Sequence, residues 1–316
     1  MAKDAYIAIW HLNTRVDTAG GVPVTDKLRD LRAKLVAADQ AFSRLGAQPG
    51  DIQLFAAPEY YFAKSGDKIL GYSAAEKDQI KQGVLQLSAT YPDVVLIPGT
   101  VAWKEPLNRA DRATTAAQVT TAIASLPGGM AGYQAELQSA HDRIKLGKNR
   151  FGLQKATKMR WFGYNSAYVY SAGVLVGELN KSVPFFEFSG EDPDDKIVMI
   201  PGFTSGAMTM PVVDGTTPGQ RLTVGVEVCA DHGPGRLANC SGGRVDIHVL
   251  VSATQIAQHP AAREGGLFVH ADSNKPPVVY PVKVVGNFHE KDRTKWPAAN
   301  IIDDGVDLWI CKARLQ

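Results

Sequence analysis

IQLFAAPE at residues 52–59 is a short apolar run that ends in a carboxylate. A similar run, AYIAIWHL (5–12), precedes it, and DVVLIPGT (93–100) follows it. Such runs are typical of buried strands, whereas the segments between them, 27–46 and 74–91, space their apolar residues as helices do. The β-α-β-α-β order predicts an α/β protein whose strand tips face one rim of a sheet.

The ends of the first helix can also be predicted. Thr25 and Asp26 precede the helical spacing, and either is a suitable N-cap because its side-chain oxygen can accept a hydrogen bond from a free backbone N–H. Gly46 follows the last apolar position and is predicted to end the helix.

Further strands follow in the second half of the chain. NSAYVYSAG and VLVGELNK (165–181) predict a hairpin that turns about Ala172 and Gly173. The segments RLTVGVEVCAD (221–231) and VDIHVLVSA (245–253) also have the composition of strands. LFVHADS, VVYPVKVV and VDLWICK extend this pattern towards the C-terminus.

Composition excludes several classes of protein. The 316 residues are 45% hydrophobic, which excludes disorder as the dominant state. With 34 basic and 32 acidic residues the net charge is +2, so no basic field for nucleic acid is expected. Three cysteines (Cys229, Cys240 and Cys311) cannot all pair within one chain, which favours a reducing compartment. No secretory signal or membrane-spanning run is evident. We therefore expect a cytoplasmic globular protein without a membrane or nucleic-acid partner.

The strand pattern is interrupted between about residues 104 and 160. Two amphipathic segments joined by the Pro-Gly-Gly turn at 127–129 predict a helical insertion within a single domain spanning 1–316. The insertion can be an elaboration packed against the core, a lid over the substrate, or an oligomer contact.

Three reactive side chains follow predicted strands at comparable places. Glu59 ends the strand at 52–59, Lys181 ends the hairpin, and Cys229 ends the strand that begins at Arg221. Side chains at strand tips converge in α/β sheets. A thiolate, a carboxylate and an ammonium together suit acyl transfer through a covalent intermediate. The backbone N–H of Ala230 could supply a second donor to the developing oxyanion.

Three blocks of sequence resemble the nitrilase (carbon–nitrogen hydrolase) superfamily. LFAAPEYYF resembles the glutamate block of that family, and YNSAYVYSAGVLVGELNKSVPFFEF resembles its lysine block. VGVEVCADH followed by VDIHVLVSA resembles its cysteine block. The segment IPGT at 97–100 matches the part that usually precedes the lysine hairpin. The blocks occur in the family's order and cover most of residues 5–312.

The resemblance implies a four-layer α-β-β-α sandwich and a Glu-Lys-Cys triad. Carried over by position, Cys229 is the nucleophile, Glu59 the general base and acid, and Lys181 the stabiliser of the intermediate. Glu187 is the best match for a second glutamate that orients the lysine or the substrate, although it can instead belong to the solvated acidic segment EFSGEDPDDK (187–196). Asp231, two positions after the cysteine, is expected to be structural.

The resemblance also implies a substrate class. The expected reaction is thiol-dependent hydrolysis of a non-peptide C–N bond, on a small-molecule amide, carbamoyl compound or nitrile. Cys-Ala-Asp at 229–231 differs from the Cys-Trp-Glu typical of nitrile-cleaving members, which favours amides. Two alternatives remain: an acyltransferase that uses the same thioester, and a catalytically silent binding or scaffold protein. Family members commonly form homo-oligomers, and the same is expected here.

Metal and cofactor sites are not predicted. The histidines lack the spacing of zinc ligands, and no glycine-rich loop for a nucleotide is found. His232, just past the nucleophile, is a candidate for lining the pocket.

Overall fold

A computed structural model gives the fold and the side-chain contacts. It describes residues 3–14, 21–64, 70–106, 161–182, 187–188, 197–199, 202, 206–211, 221–233, 235–240, 244–258, 260–285, 288–291, 302–303 and 307–316, together with single positions at 114, 117, 120, 124, 135 and 138.

The described chain contains sixteen strands, two long helices and one short helix. The helices are α1 (Val24–Arg44), α2 (Ala74–Thr90) and α3 (Arg236–Cys240). The strands of the first half are β1 (Lys3–Trp10), β2 (Ile52–Ala56), β3 (Tyr72–Ser73), β4 (Val94–Ile97), β5 (Thr100–Pro106), β6 (Trp161–Ser171), β7 (Val174–Asn180) and β8 (Ile197–Met199). Those of the second half are β9 (Ala207–Pro211), β10 (Arg221–Val228), β11 (Val245–Ser252), β12 (Ala262–Asp272), β13 (Val278–Val285), β14 (Phe288–Lys291), β15 (Ile302–Asp303) and β16 (Leu308–Leu315).

These strands form two mixed sheets. The first has the order β15-β16-β1-β2-β4-β6-β5-β3, with β7 and β8 also paired to β6. The second has the order β14-β13-β12-β11-β10-β9. Each sheet has three adjacent parallel strands at its centre: β1, β2 and β4 in the first sheet, and β10, β11 and β12 in the second. Parallel strands buried on both faces explain why the sequence runs are apolar throughout rather than alternating.

The main core lies between the two sheets. Alternate residues of each strand face it, because successive side chains of a strand point to opposite faces. From β1 these are Ala5, Ile7 and Ile9, and β10 contributes Val224, Val226 and Val228. Burial of this apolar surface from both sides fixes the strand tips of the two sheets near each other.

The opposite face of the first sheet packs against α1 and α2. Tyr6, Ala8 and Trp10 of β1 point into this second core, where they meet Leu31 and Leu35 of α1. A mixed α/β architecture is therefore confirmed. On the outer face of the second sheet, the described residues supply only α3 and connecting segments, so the predicted fourth layer of helices remains a prediction.

Several predicted boundaries are wrong. The strand predicted at 52–59 ends at Ala56, and the run at 93–100 is divided between β4 and β5. Helix α1 begins at Val24 after Pro23, and no side chain caps it; Thr25 and Asp26 lie inside its first turn. The strand predicted at 221–231 ends at Val228, and residues Cys229–His232 form a 3₁₀ turn.

The predicted lysine hairpin is confirmed. Strands β6 and β7 pair antiparallel, and Ser171 lies opposite Val174 across a two-residue turn. Ala172 and Gly173 both have positive φ, 49° and 73°. A type I′ turn, which matches the right-handed twist of the flanking strands, requires positive φ at both central residues.

The helical insertion lies almost entirely outside the described residues. The six single positions between 114 and 138 are helical. Its Pro-Gly-Gly turn lies outside the described residues. None of the described helices combines the length and apolar composition needed to cross a membrane.

Gly99 controls how the segment carrying Glu59 lies on the sheet. Its φ is +79°, and a Cβ placed there would lie 2.2 Å from the carbonyl oxygen of Pro58. Gly46 has a similar φ of +84°, but a Cβ there would meet no atom of the described chain within 4 Å. An alanine at Gly46 would therefore introduce backbone strain alone, whereas an alanine at Gly99 would introduce backbone strain and a steric overlap.

We expect Gly46→Ala to lower the free energy of unfolding by about 1 kcal/mol, the cost of a left-handed alanine. Gly99→Ala should cost about 1–3 kcal/mol more, because it also overpacks against Pro58. Urea unfolding of both variants measures the difference. Equal losses in the two proteins would show that Gly99 makes no essential close contact.

Candidate active site

Glu59, Lys181 and Cys229 lie together in the structure. Each follows a different strand: β2, β7 and β10. Their exposed fractions are 0%, 1% and 4%. Three polar side chains that lie far apart along the chain are thus removed from solvent in one place, where the rims of the two sheets meet.

The Lys181 ammonium bridges two carboxylates. Its Nζ lies 2.9 Å from Glu59 Oε1 and also donates to Glu187 Oε1. Glu59 Oε1 accepts a second hydrogen bond from Asn165 Nδ2 at 2.9 Å. Glu187 Oε1 accepts one from the Tyr60 hydroxyl at 3.0 Å. The structure therefore places Glu187 in a buried charge cluster with Lys181, and not on a solvated acidic loop.

The charged groups of this cluster shift one another's pKa values. Burial alone would lower the pKa of Lys181, but the carboxylates of Glu187 and Glu59 outweigh it and hold that pKa well above its usual range. Burial raises the pKa of Glu59, and the charge of Glu187 adds to the rise, while Lys181 opposes it. Lys181 is therefore a permanent cation, and Glu59 is a base that can take up and return a proton.

The Cys229 thiol is close enough to this cluster for both charges to act on it. Burial raises its pKa to about 12, the Glu59 charge adds to the rise, and the Lys181 charge opposes it. The backbone N–H of Ala253 also reaches the sulfur and favours the thiolate. Cys229 is therefore a neutral thiol at rest, and it needs a base at the moment it attacks.

The site contains strained backbone. Five non-glycine residues described in the structure have positive φ, and three of them are Tyr60 (62°), Phe188 (61°) and Cys229 (45°). Tyr60 follows Glu59, and Phe188 follows Glu187. A side chain in this conformation costs of order 1–3 kcal/mol and persists only where the surroundings hold it.

Several backbone hydrogen bonds hold these residues. The Tyr60 N–H donates to Thr100 Oγ1 at 2.9 Å, and the Glu59 N–H to the Ser252 carbonyl at 3.4 Å. The Lys181 N–H donates to the Asn165 carbonyl at 2.8 Å. Glu59 is thereby linked to both sheets.

Phe188 anchors Glu187. Its ring lies against two glycines: a Cβ at Gly163 would lie 2.4 Å from Phe188 Cε2, and one at Gly71 would lie 2.6 Å from Cε1. The ring occupies the space that side chains at Gly71 and Gly163 would fill. Its packing there fixes Phe188, and the carboxylate of the preceding residue, Glu187, lies beside Lys181.

Asp231 joins the cysteine turn to the lysine strand. Its carboxylate accepts the Ser182 N–H at 2.9 and 3.1 Å, and Arg236 donates to it at 3.0 Å. Asp231 and Arg236 are both buried. This ion pair fixes the distance between the residues that follow Cys229 and those that follow Lys181.

Ala230 lies within the same turn. The first N–H groups of a short helical turn have no acceptor within that turn. The Ala230 N–H therefore remains a candidate donor to the oxyanion. Cys311, on β16, packs in the core between the sheets. The side chain of Cys240 lies outside the described residues.

Among the described residues, Glu227, His232 and His248 form the one group whose donor atoms could hold a metal ion. His232 Nε2 accepts the Gln258 N–H at 2.9 Å, and His248 Nδ1 accepts the Ala261 N–H at 2.9 Å. Since these nitrogens are acceptors, the ring N–H groups lie on the side that faces Glu227, where a metal would need lone pairs. The group fits a hydrogen-bonded network better than a metal site.

Sequence reasoning missed four residues of the site and its surroundings: Tyr60, Asn165, Glu227 and His248. Tyr60 directly follows the predicted base, and Asn165 opens the lysine hairpin, but neither position shows by itself which atoms it will contact. Glu227 gave the clearest signal, because a carboxylate inside an otherwise apolar strand needs buried partners.

Comparisons with known proteins give distant similarity. No protein-family model and no curated protein matches the sequence. Two solved structures show similarity at 12% identity. A glutamine-dependent NAD+ synthetase from Acinetobacter baumannii, in complex with ADP, has a TM-score of 0.41, and the match covers 98% of this chain and 45% of that one. One from Cytophaga hutchinsonii has a TM-score of 0.40, covering 100% and 43%. The chain spans less than half the length of either synthetase.

Lys181→Met leaves Glu59 and Glu187 as two buried carboxylates without a counter-charge. We expect a loss of about 3–5 kcal/mol in the free energy of unfolding at pH 7. The loss should shrink as the pH falls, because the raised pKa of the unpaired carboxylates lets the folded state bind a proton more readily than the unfolded state. Urea unfolding between pH 5 and pH 8 measures both effects.

Lys81→Met is the matched control. Lys81 lies 2.9 Å from Glu178 in an ion pair that is partly exposed, so we expect a loss of at most about 1 kcal/mol. Similar losses at Lys181 and Lys81, or a loss at Lys181 that does not change with pH, would contradict the buried charge cluster.

Proposed function

We propose that the protein is a thiol-dependent hydrolase of a non-peptide C–N bond, acting through a thioester on Cys229. One observation carries the proposal: a buried thiol, a carboxylate of raised pKa and a permanently charged ammonium occupy one cluster. This combination supplies a nucleophile, a proton carrier and an electrostatic stabiliser for acyl chemistry.

In the first half-reaction, Glu59 takes the thiol proton as the sulfur of Cys229 attacks the carbonyl carbon. A C–S bond forms, and the carbonyl π electrons move to the oxygen. Lys181 and the Ala230 N–H stabilise this oxyanion. The protonated Glu59 then gives its proton to the departing nitrogen, the C–N bond breaks, and ammonia or an amine leaves.

In the second half-reaction, Glu59 removes a proton from water, which attacks the thioester carbon. The tetrahedral intermediate collapses, the C–S bond breaks, and the proton returns to the sulfur. The product is a carboxylic acid, and the resting thiol is restored. Glu187 contributes by keeping Lys181 charged and in place, since it accepts a hydrogen bond from the same ammonium.

The finer features of the proposal come from the sequence resemblance. We assign the chain to the nitrilase superfamily, with a four-layer sandwich and a helical insertion in one domain. Amides or carbamoyl compounds are preferred to nitriles because of Cys-Ala-Asp at 229–231. Cytoplasmic location, a homo-oligomeric state and independence of cofactors belong to the same proposal.

Cys229→Ala should abolish turnover, because no other group in the cluster can form the thioester. Release of ammonia from a panel of primary amides, carbamoyl compounds and nitriles measures turnover, and intact-protein mass spectrometry detects the acyl adduct. Cys311→Ala is the matched control, since Cys311 is buried in the core between the sheets; its turnover should be retained.

Three outcomes would contradict the proposal. Turnover that persists in Cys229→Ala would reject the thioester mechanism. A thioester that transfers to added hydroxylamine but never to water would indicate an acyltransferase. Absence of both turnover and adduct across the panel in the wild-type protein would indicate a silent binding protein.

The pH profile tests the role of Glu59. The base must be ionised to accept the thiol proton, and burial raises its pKa, so kcat/KM should fall with decreasing pH at a pH above the ordinary range of a glutamate. Glu187→Gln removes a negative charge that raises the pKa of Glu59 and should move this acidic limb to lower pH. A limb at an ordinary glutamate pKa, or one that moves upward in Glu187→Gln, would contradict the assignment.

A further inference from the structure

The side chain of Glu227 lies on the outer face of the second sheet, two residues before the nucleophile. It is 2% exposed and accepts two hydrogen bonds, and His248 Nε2 lies close to it without hydrogen-bond geometry. The Leu237 N–H donates to Oε1 at 2.6 Å, and His232 Nδ1 lies 2.5 Å from Oε2. His248 Nε2 lies 3.0 Å from the same oxygen. The carboxylate therefore joins strands β10 and β11, the cysteine turn and α3.

The two histidines are held in one orientation. Their other ring nitrogens accept backbone N–H groups of Gln258 and Ala261, so each ring carries its proton on the nitrogen nearer to Glu227, and His232 donates that proton to the carboxylate. Burial alone would raise the pKa of Glu227, but the neighbouring His248 and His232 rings outweigh it and hold that pKa well below its usual range. The ionised carboxylate accepts from both donors, the Leu237 N–H and His232 Nδ1.

The network bears directly on the nucleophile through the 3₁₀ turn Cys229–His232. Glu227 lies just before this turn, and His232 is its last residue, so their contact closes the turn on itself. On its other side the turn is tied to the lysine strand by Asp231. The strained φ of Cys229 needs such constraint on both sides.

We propose that Glu227 is a positioning residue for the reaction: through His232 it fixes the turn that directs the Ala230 N–H at the carbonyl oxygen of the substrate. This inference rests on the proposed function and deepens it. It also replaces the interpretation of His232 as a pocket-lining residue, because both of its ring nitrogens are engaged within the protein. Glu227 and His232 touch no reacting atom and act through the backbone of the turn.

The test compares two reagents that both modify Cys229. Acetylation by p-nitrophenyl acetate passes through an oxyanion, whereas alkylation by iodoacetamide does not. Glu227→Gln presents an amide N–H₂ or a weaker acceptor to the Leu237 N–H and His232 Nδ1 and should displace the turn. We expect its acetylation rate to fall by about 10²-fold, as for a lost oxyanion donor, while its alkylation rate changes less than about threefold. Glu178→Gln, at a partly exposed ion pair, is the control and should change neither rate.

A pair of variants at His232 makes the test independent of whether Glu227→Gln folds. In His232→Asn the amide nitrogen can replace Nδ1 as the donor to Glu227, whereas His232→Ala removes this donor. We expect His232→Asn to retain most of the acetylation rate and His232→Ala to lose it, with alkylation preserved in both. Circular dichroism and urea unfolding verify that the compared proteins are folded.

The outcomes separate the two proposals. If p-nitrophenyl acetate does not acetylate Cys229 in the wild-type protein, the proposed function fails. If wild-type acetylation occurs but both reagents slow equally in the variants, the network is merely structural and the positioning role is rejected. Acetylation that is equally fast in Glu227→Gln, or in His232→Ala and His232→Asn alike, rejects it too.

Discussion

The site depends on one buried ammonium. Lys181 lies between two carboxylates from different parts of the chain, and all three groups are shielded from water. No member is tolerable alone, because an unpaired charge in a protein interior costs several kcal/mol. The three charges therefore require that the ends of β2 and β7 and the segment at Glu187 meet, and this requirement brings the thiol of Cys229 against a base.

The two sheets provide the rigidity that this arrangement needs. Glu59 extends from the first sheet, yet its backbone N–H donates to Ser252 at the end of a strand of the second. Cys229 extends from the second sheet, and Asp231 binds the residue after Lys181 on the first. The cross-links at the rim explain how Tyr60, Phe188 and Cys229 can keep a left-handed backbone.

Much of the fold could be predicted from the sequence, because apolar periodicity determines which stretches are strands and which are helices. The failures are local. Val24 begins α1 without a cap because packing of Leu31 and Leu35 stabilises the helix regardless of its first turn. Strand β10 ends before Cys229, where the backbone turns left-handed, and nothing in the apolar run marks that point.

The candidate site was only partly predictable. Reactive residue types at strand tips, with the family resemblance, pointed to Glu59, Lys181 and Cys229. The acidic sequence around Glu187 is compatible with a solvated loop and with a buried site residue. Packing of the Phe188 ring against Gly71 and Gly163 decides for the buried position. Such packing depends on residues that lie far apart in the chain, which no local pattern records.

The resting state of Cys229 has a consequence for how the protein survives damage. Peroxides attack thiolates far faster than thiols, and they need access to the sulfur. A sulfur that is 4% exposed and keeps its proton until a substrate enters is a poor target for such oxidants. The arrangement that delays nucleophile formation thus also protects the sulfur from irreversible conversion to sulfinic acid during idle periods.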